Sequence, residues 1–225
     1  MVDVYAIKIN NYLSTSDFNR LMSFLPKEKR DKIRKFLKYE DSLRSLLGDI
    51  LVRNILSSKL KISNEKLVFS KNEYGKPYLK NSDEIYFNIS HSGEWVVCAF
   101  DDSDIGIDIE KIYPIDYDGI AKSFFSPKEC KDLYAKLESE RLSYFYDLWT
   151  LKESYIKSDG RGLSAPLDSF SIRIVNNSII VETKELLKDC FFRQYDIDSN
   201  YKMAICTSKK EMPQDVTIKK IDDLY

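Results

Sequence analysis

The chain repeats its own order of elements after about 100 residues, and this repeat constrains the fold more than any single motif does. A triplet at Pro26-Lys27-Glu28 recurs at Pro127-Lys128-Glu129, and each triplet opens a helical pattern. A longer helical pattern follows each of them. The first starts near Glu40 and sets Leu43, Leu46, Leu47, Ile50, Leu51 and Ile55 on one stripe. The second runs from about Glu140 to Ser158 and is stopped by Gly160 and Gly162. Each block begins with a short alternating strand pattern, Val2, Val4, Ala6 in one and Ile105, Ile107, Ile109 in the other. Strand-like runs close each block: residues 67–69, 85–87 and 95–100 in the first, residues 170–175, 179–182, 191–196 and 201–206 in the second. The expectation is two related halves, residues 1–103 and 104–225, each a small, mostly antiparallel sheet packed with a long helix. Two such halves leave a cleft between them, a common place for a ligand.

Composition narrows the class of function. With 225 residues, 43% apolar and 32% charged, the chain is long enough for a well-buried core. A formal net charge of −1 gives no global reason to bind nucleic acid or an anionic membrane. Cations are locally dense between Lys27 and Lys38, a segment that suits either a solvated helix or a small, highly charged anion. Cys98, Cys130, Cys190 and Cys206 form no C-x-x-C pair and read as reduced thiols. No signal-peptide core and no membrane-length apolar run is present, so a cytoplasmic protein is expected. The seven glycines match neither G-x-G-x-x-G nor a P-loop, so phosphate binding would rest on side chains and metal.

Three segments carry the candidate chemistry. In Gly106-Ile107-Asp108-Ile109-Glu110 the strand period puts Asp108 and Glu110 on one face and the isoleucines on the other. Two carboxylates held together call for a neutralising cation such as Mg²⁺, or else mark a solvated edge strand. On the second long helix Glu153 and Lys157 are neighbours at i, i+4. They form either a surface ion pair or, on so aromatic a helix, a third carboxylate for the metal beside a lysine for phosphate. The sole histidine, His91, lies in Phe87-Asn88-Ile89-Ser90-His91-Ser92. A Ser-His-Asp triad with Asp108 is disfavoured, because adjacent residues of a strand point to opposite faces and no G-x-S-x-G elbow is present.

In this order and spacing, these segments together with Tyr74-Gly75-Lys76-Pro77 and Trp149-Thr150-Leu151-Lys152-Glu153-Ser154-Tyr155-Ile156-Lys157 resemble a family. It is that of 4′-phosphopantetheinyl transferases of the broad-specificity, surfactin-synthetase-activating type. The resemblance implies a pseudo-two-fold α+β monomer with coenzyme A in the cleft between its halves. It implies transfer of the phosphopantetheine arm to a serine of apo peptidyl or acyl carrier proteins, releasing adenosine 3′,5′-bisphosphate. Asp108, Glu110 and Glu153 match the Mg²⁺ positions, and Lys157 the lysine at the pyrophosphate. Ser90 and His91 match phosphate ligands. Lys29, Lys32, Arg44 and Ser45 match the basic lip around the 3′-phosphate, and Gly75, Lys76 and Pro77 the adenine-side loop. Glu153, directly or through water, would take the serine proton, and residues near Phe124-Phe125 would meet the carrier protein. A metal-dependent phosphohydrolase or nuclease, and a non-catalytic module binding coenzyme A or carrier proteins, stand as the rival readings. No nucleic-acid or membrane partner is expected.

Overall fold

The two blocks of sequence become the same succession of elements in space. The computed structural model describes residues 1–10, 13–80, 82, 84–176, 178–183 and 189–224. The first block runs β1 (Asp3–Lys8), α1 (Thr15–Ser23), α2 (Lys27–Ile33), α3 (Tyr39–Leu60), β2 (Phe69–Lys71), β3 (Pro77–Leu79), β4 (Tyr86–Ser92) and β5 (Trp95–Asp101). The second runs β6 (Ile105–Lys111), α4 (Tyr117–Phe124), α5 (Pro127–Tyr134), α6 (Glu138–Asp159), β7 (Ser171–Val175), β8 (Ser178–Glu182), β9 (Phe191–Gln194) and β10 (Tyr201–Thr207). Strand, three helices, hairpin and two further strands thus occur twice. The long helices α3 and α6 have 22 residues each. Both stop at a left-handed residue, Lys61 and Gly160, where the backbone turns out of the helical path.

The local signals explain the starts. Ser126 accepts from the Glu129 backbone, Glu129 returns the bond to the Ser126 N–H, and Pro127 fills the first turn of α5. Ser14 caps α1 by accepting from the Asp17 N–H through its hydroxyl. Helices α1 and α4 and strand β3 are too short for a periodic sequence signal, and the sequence reading leaves them out.

Two sheets form the centre. The first has the order β11-β1-β5-β4, in which the last strand, β11 (Thr217–Lys219), returns to pair parallel with β1 and all other pairs are antiparallel. The second has the antiparallel order β6-β10-β9. The hairpins β2–β3 and β7–β8 stand apart. On one face of the first sheet Ile7, Val96, Cys98 and Phe100 pack against Leu43, Leu46, Leu47 and Ile50 of α3. Its other face, with Val4, Ala6, Val97 and Ala99, meets Ile107, Ile109, Met203 and Ile205 of the second sheet. Behind the second sheet, Leu151, Tyr155 and Ile156 of α6 cover Ala204 and Cys206. The layers therefore run helix, sheet, sheet, helix. Strand β5 is buried along its whole length because both its faces are covered. No helix among the described residues is long and apolar enough to cross a membrane.

Two contacts fix where the halves meet. Strand β4 ends its sheet beside β6, and side chains bridge the gap. Asn88 Oδ1, Ser90 Oγ and Ser92 Oγ accept from the backbone N–H groups of Ile107, Ile109 and Lys111 at 3.0, 3.4 and 3.0 Å. The period of two along β4 brings these three acceptors to one face in register with alternate N–H groups of β6. The other contact is at Gly106, where an added Cβ would lie 1.9 Å from the Ser154 carbonyl oxygen and 2.4 Å from the Ser158 nitrogen. Helix α6 therefore lies directly on the backbone of β6.

Candidate active site

Because the isoleucines of β6 face the sheet–sheet core, Asp108 and Glu110 face α6. The solvated edge strand is excluded: Asp108 is only 2% exposed. Glu153 and Lys157 approach from α6, and α3 contributes Lys29's partner Asp49 together with Arg44 and Ser45. These side chains line one open cleft of about 420 Å³ at the junction of α3, β4, β6 and α6, with Ser90 and His91 on its β4 wall.

The serines of β4 hold the two strand carboxylates. Ser90 Oγ donates to Asp108 Oδ1 at 2.8 Å, and Ser92 Oγ donates to Glu110 Oε2 at 2.8 Å. The Lys157 ammonium donates to the same Asp108 oxygen at 2.6 Å and to Ser90 Oγ at 3.2 Å. Lys157 thus ties α6 to β6 at Asp108 and reaches across the halves to Ser90. Asp108 Oδ2 is buried without any hydrogen-bond partner among the described residues. A buried carboxylate oxygen left so is costly unless something positive meets it.

Electrostatics point the same way. Burial first, and the Asp108 charge second, push Glu110 up to about 7. The same two causes raise Glu153. Three carboxylates therefore crowd one site that Lys157 alone does not neutralise, which is the condition a divalent cation relieves. The donor set, all oxygen with one unpartnered atom, suits a hard ion such as Mg²⁺. No ready-made cluster of three close ligands exists among the described residues, so the acids must adjust to hold one.

The basic rim is partly engaged. Lys29 Nζ donates to Asp49 at 2.9 Å, and Arg44 Nη1 donates to the Gly93 carbonyl at 2.8 Å. His91 keeps more than a third of its surface accessible. Its pKa nevertheless falls below the ordinary value, through packing against the cleft wall and then the cations Arg44 and Lys157. It stays neutral near pH 7, with one ring N–H to donate. No Ser-His hydrogen bond forms among the described residues; Ser90 and Ser92 serve Asp108 and Glu110 instead.

Nine of the expected site residues thus meet at the cleft: Lys29, Arg44, Ser45, Ser90, His91, Asp108, Glu110, Glu153 and Lys157. Lys32, Gly75, Lys76 and Pro77 do not line it. Lys32 is exposed on α2. The loop carrying Gly75 docks on the end of α6: Asn72 Nδ2 donates to the Gly160 carbonyl, and Lys76 Nζ donates to the Ser158 carbonyl at 3.1 Å and to Asp104. Of the expected carrier-facing pair only Phe124 is exposed, at 43%; Phe125 is buried and stacks on Phe145.

The sequence reading missed Gly48 and Asp49, which line the cleft one helical turn beyond Arg44 and Ser45, a spacing that would have revealed them. It also used Glu129 only as a helix-start signal. Glu129 and Lys152, both fully buried, pair at 2.7 Å, and Glu129 also accepts from the Ser126 and Ile172 N–H groups. This pair ties α5 and β7 to α6 next to Glu153.

Comparison with known proteins places these features in context. Residues 13–103 match a family model described as 4′-phosphopantetheinyl transferase, N-terminal, and residues 104–206 match the 4′-phosphopantetheinyl transferase superfamily. The chain is 45% identical over 222 residues to the 4′-phosphopantetheinyl transferase Sfp of Bacillus subtilis (strain 168), covering 98% of this chain and 99% of the relative. It is 46% identical over 216 residues to the 4′-phosphopantetheinyl transferase ffp of Bacillus subtilis, covering 96% of both. The 4′-phosphopantetheinyl transferase gsp of Aneurinibacillus migulanus is 38% identical over 207 residues, with 92% of this chain and 86% of that protein covered.

Proposed function

The chain belongs to the 4′-phosphopantetheinyl transferase superfamily, and we propose that the cleft between its halves is where it moves the phosphopantetheine arm. The protein transfers this group from coenzyme A to a serine of apo carrier proteins, releasing adenosine 3′,5′-bisphosphate. The observation that carries the site assignment is the meeting of Asp108, Glu110, Glu153 and Lys157 from two elements, with Asp108 Oδ2 buried and unpartnered.

Asp108, Glu110 and Glu153 would hold a divalent ion, for which Mg²⁺ is the chemical default. When bound, that ion supplies positive charge to the pyrophosphate of coenzyme A and to the group that leaves. The chain's own residues do the rest. Lys157, held by Asp108 and Ser90, presents an ammonium to the phosphate oxygens. His91 offers a ring N–H to the phosphate oxygens. Lys29 and Arg44, with Lys32 beyond them, form the lip for the 3′-phosphate. The carrier serine oxygen bonds to the β-phosphorus while the bond to the adenosine bisphosphate oxygen breaks. Glu153, directly or through water, takes the serine proton. The exposed ring of Phe124, edge-on to Trp149, offers an apolar contact for the carrier protein.

Both walls of the cleft come from one chain, so a monomer suffices; the cytoplasm, where coenzyme A is abundant, is the proposed compartment. Neither nucleic acid nor a membrane enters this reading. Incubation with coenzyme A, Mg²⁺ and an apo carrier protein, followed by mass spectrometry of the carrier, tests it. The carrier should gain the phosphopantetheine mass with wild type and not with Asp108→Ala. Release of phosphate without modified carrier would favour the hydrolase instead.

A further inference from the structure

Toward the C-terminal end of α3 the chain buries a second cation that no carboxylate pairs with among the described residues. Arg53 is 6% exposed. Its Nη1 donates to Asn64 Oδ1 at 3.1 Å, its guanidinium stacks on Phe69 at 4.7 Å, and its Nε is buried with no acceptor among the described residues. Asp49, the carboxylate that acts on it through space, already holds Lys29 at 2.9 Å. Lys152 provides the contrast within the same protein: it is fully buried, and both oxygens of Glu129 meet it, at 2.7 and 2.8 Å. An isolated buried cation costs several kcal/mol unless paired. Among the described residues the fold supplies the partner in one place and not in the other.

Arg53 also lines a pocket of about 340 Å³, at the lower end of the range for small-molecule sites. Its walls are mixed: Phe24, Ile50 and Leu224 are apolar, while Asn54 and Ser58 add polar groups. Asn64 is fixed by its own bond to the Phe24 carbonyl, which turns its oxygen to Arg53. A planar guanidinium with spare donors matches the two oxygens of a carboxylate. We propose that this pocket is a second ligand site, separate from the cleft, that takes a small organic carboxylate with an apolar body. The carboxylate seats on Arg53, and the body lies against Phe24, Ile50 and Leu224.

The test titrates the full chain with benzoate by calorimetry, with benzyl alcohol as the uncharged shape control, inorganic phosphate as the bare oxyanion, and coenzyme A as competitor. Benzoate should bind at one site and raise the melting temperature. Benzyl alcohol and phosphate should bind at least about tenfold more weakly, a difference of about 1.4 kcal/mol. Saturating coenzyme A should not displace benzoate. Arg53→Met keeps an apolar chain over Phe69 and should weaken benzoate at least about tenfold. Ser58→Phe fills the pocket from its exposed edge and leaves Arg53 itself in place; it should abolish binding while transfer to carrier protein continues, and it decides the matter should Arg53→Met not fold. Failure of benzoate to bind wild type, its displacement by coenzyme A, tighter binding of phosphate than of benzoate, or full retention of benzoate in Ser58→Phe would each overturn the assignment.

Discussion

At the scale of single residues, the site is a set of acids that repel one another until something positive joins them. Glu110 is pushed up to about 7 from an ordinary 4.5, by burial and then by Asp108. A folded-state pKa above the unfolded one means that, between those values, the folded chain binds more protons. Its stability therefore falls as pH rises through that window. The metal-free protein should melt lower at about pH 8 than at about pH 5.5, and Glu110→Gln should flatten that dependence. Protons and cations compete for the same oxygens, so Mg²⁺ should raise the melting temperature more at about pH 8 than at about pH 5.5. Equal Mg²⁺ shifts at both pH values would count against Glu110 as part of the ion site. On the rim, Lys29→Ala with Lys32→Ala should raise KM for coenzyme A and leave KM for dephospho-coenzyme A nearly unchanged; a parallel rise in both would remove these lysines from the 3′-phosphate.

At the scale of elements, the spacing between α6 and β6 sets the chemistry, and Gly106 sets the spacing. A methyl group there would collide with the Ser154 carbonyl at 1.9 Å, which is backbone and cannot swing aside. Gly106→Ala should lift α6 from the strand and part Glu153 and Lys157 from Asp108. We expect destabilisation of about 1–3 kcal/mol, which for a chain of this length is roughly 2–12 °C in melting temperature, and a loss of transfer larger than the loss of folded protein. Wild-type turnover in that variant would show that the close approach is dispensable. The Glu129–Lys152 pair braces α6 from its other side. Lys152→Met leaves the Glu129 carboxylate buried without its cation, and should cost about 3–5 kcal/mol in denaturant unfolding.

At the scale of the whole molecule, each half is incomplete. The face of the first sheet carrying Val4, Ala6, Val97 and Ala99 is covered by the second sheet and the segments beside it, and β5 has no exposed side. The last strand, β11, crosses back to β1 and ties the end of the second half to the start of the first. A fragment of residues 1–103 made alone should therefore lack cooperative unfolding, with near-ultraviolet circular dichroism as the readout. Co-expression with residues 104–225 should restore both folding and transfer, since the cleft draws one wall from each half. Independent cooperative unfolding of the first fragment would show that the halves are autonomous domains.

Much of this was legible along the chain, because it rests on short-range periodicity. The period of two in β4 and β6 put Asp108 with Glu110 and set Ser90 apart from His91, and helical spacing put Glu153 near Lys157. The repeat of strand, helices and strands predicted the order of elements that recurs along the chain. What sequence could not give was partnership over distance. Lys157 pairs with Asp108, 49 positions away, as well as lying beside Glu153. Glu129 serves Lys152 besides capping its own helix, and Asn88, Ser90 and Ser92 bridge two sheets. Helix α1, helix α4 and strands β3 and β11 are too short to announce themselves, and tertiary packing stabilises them. Local pattern fixed which residues share a face; only the stacking of the layers, where burial and unpaired charge are decided, determined which faces meet.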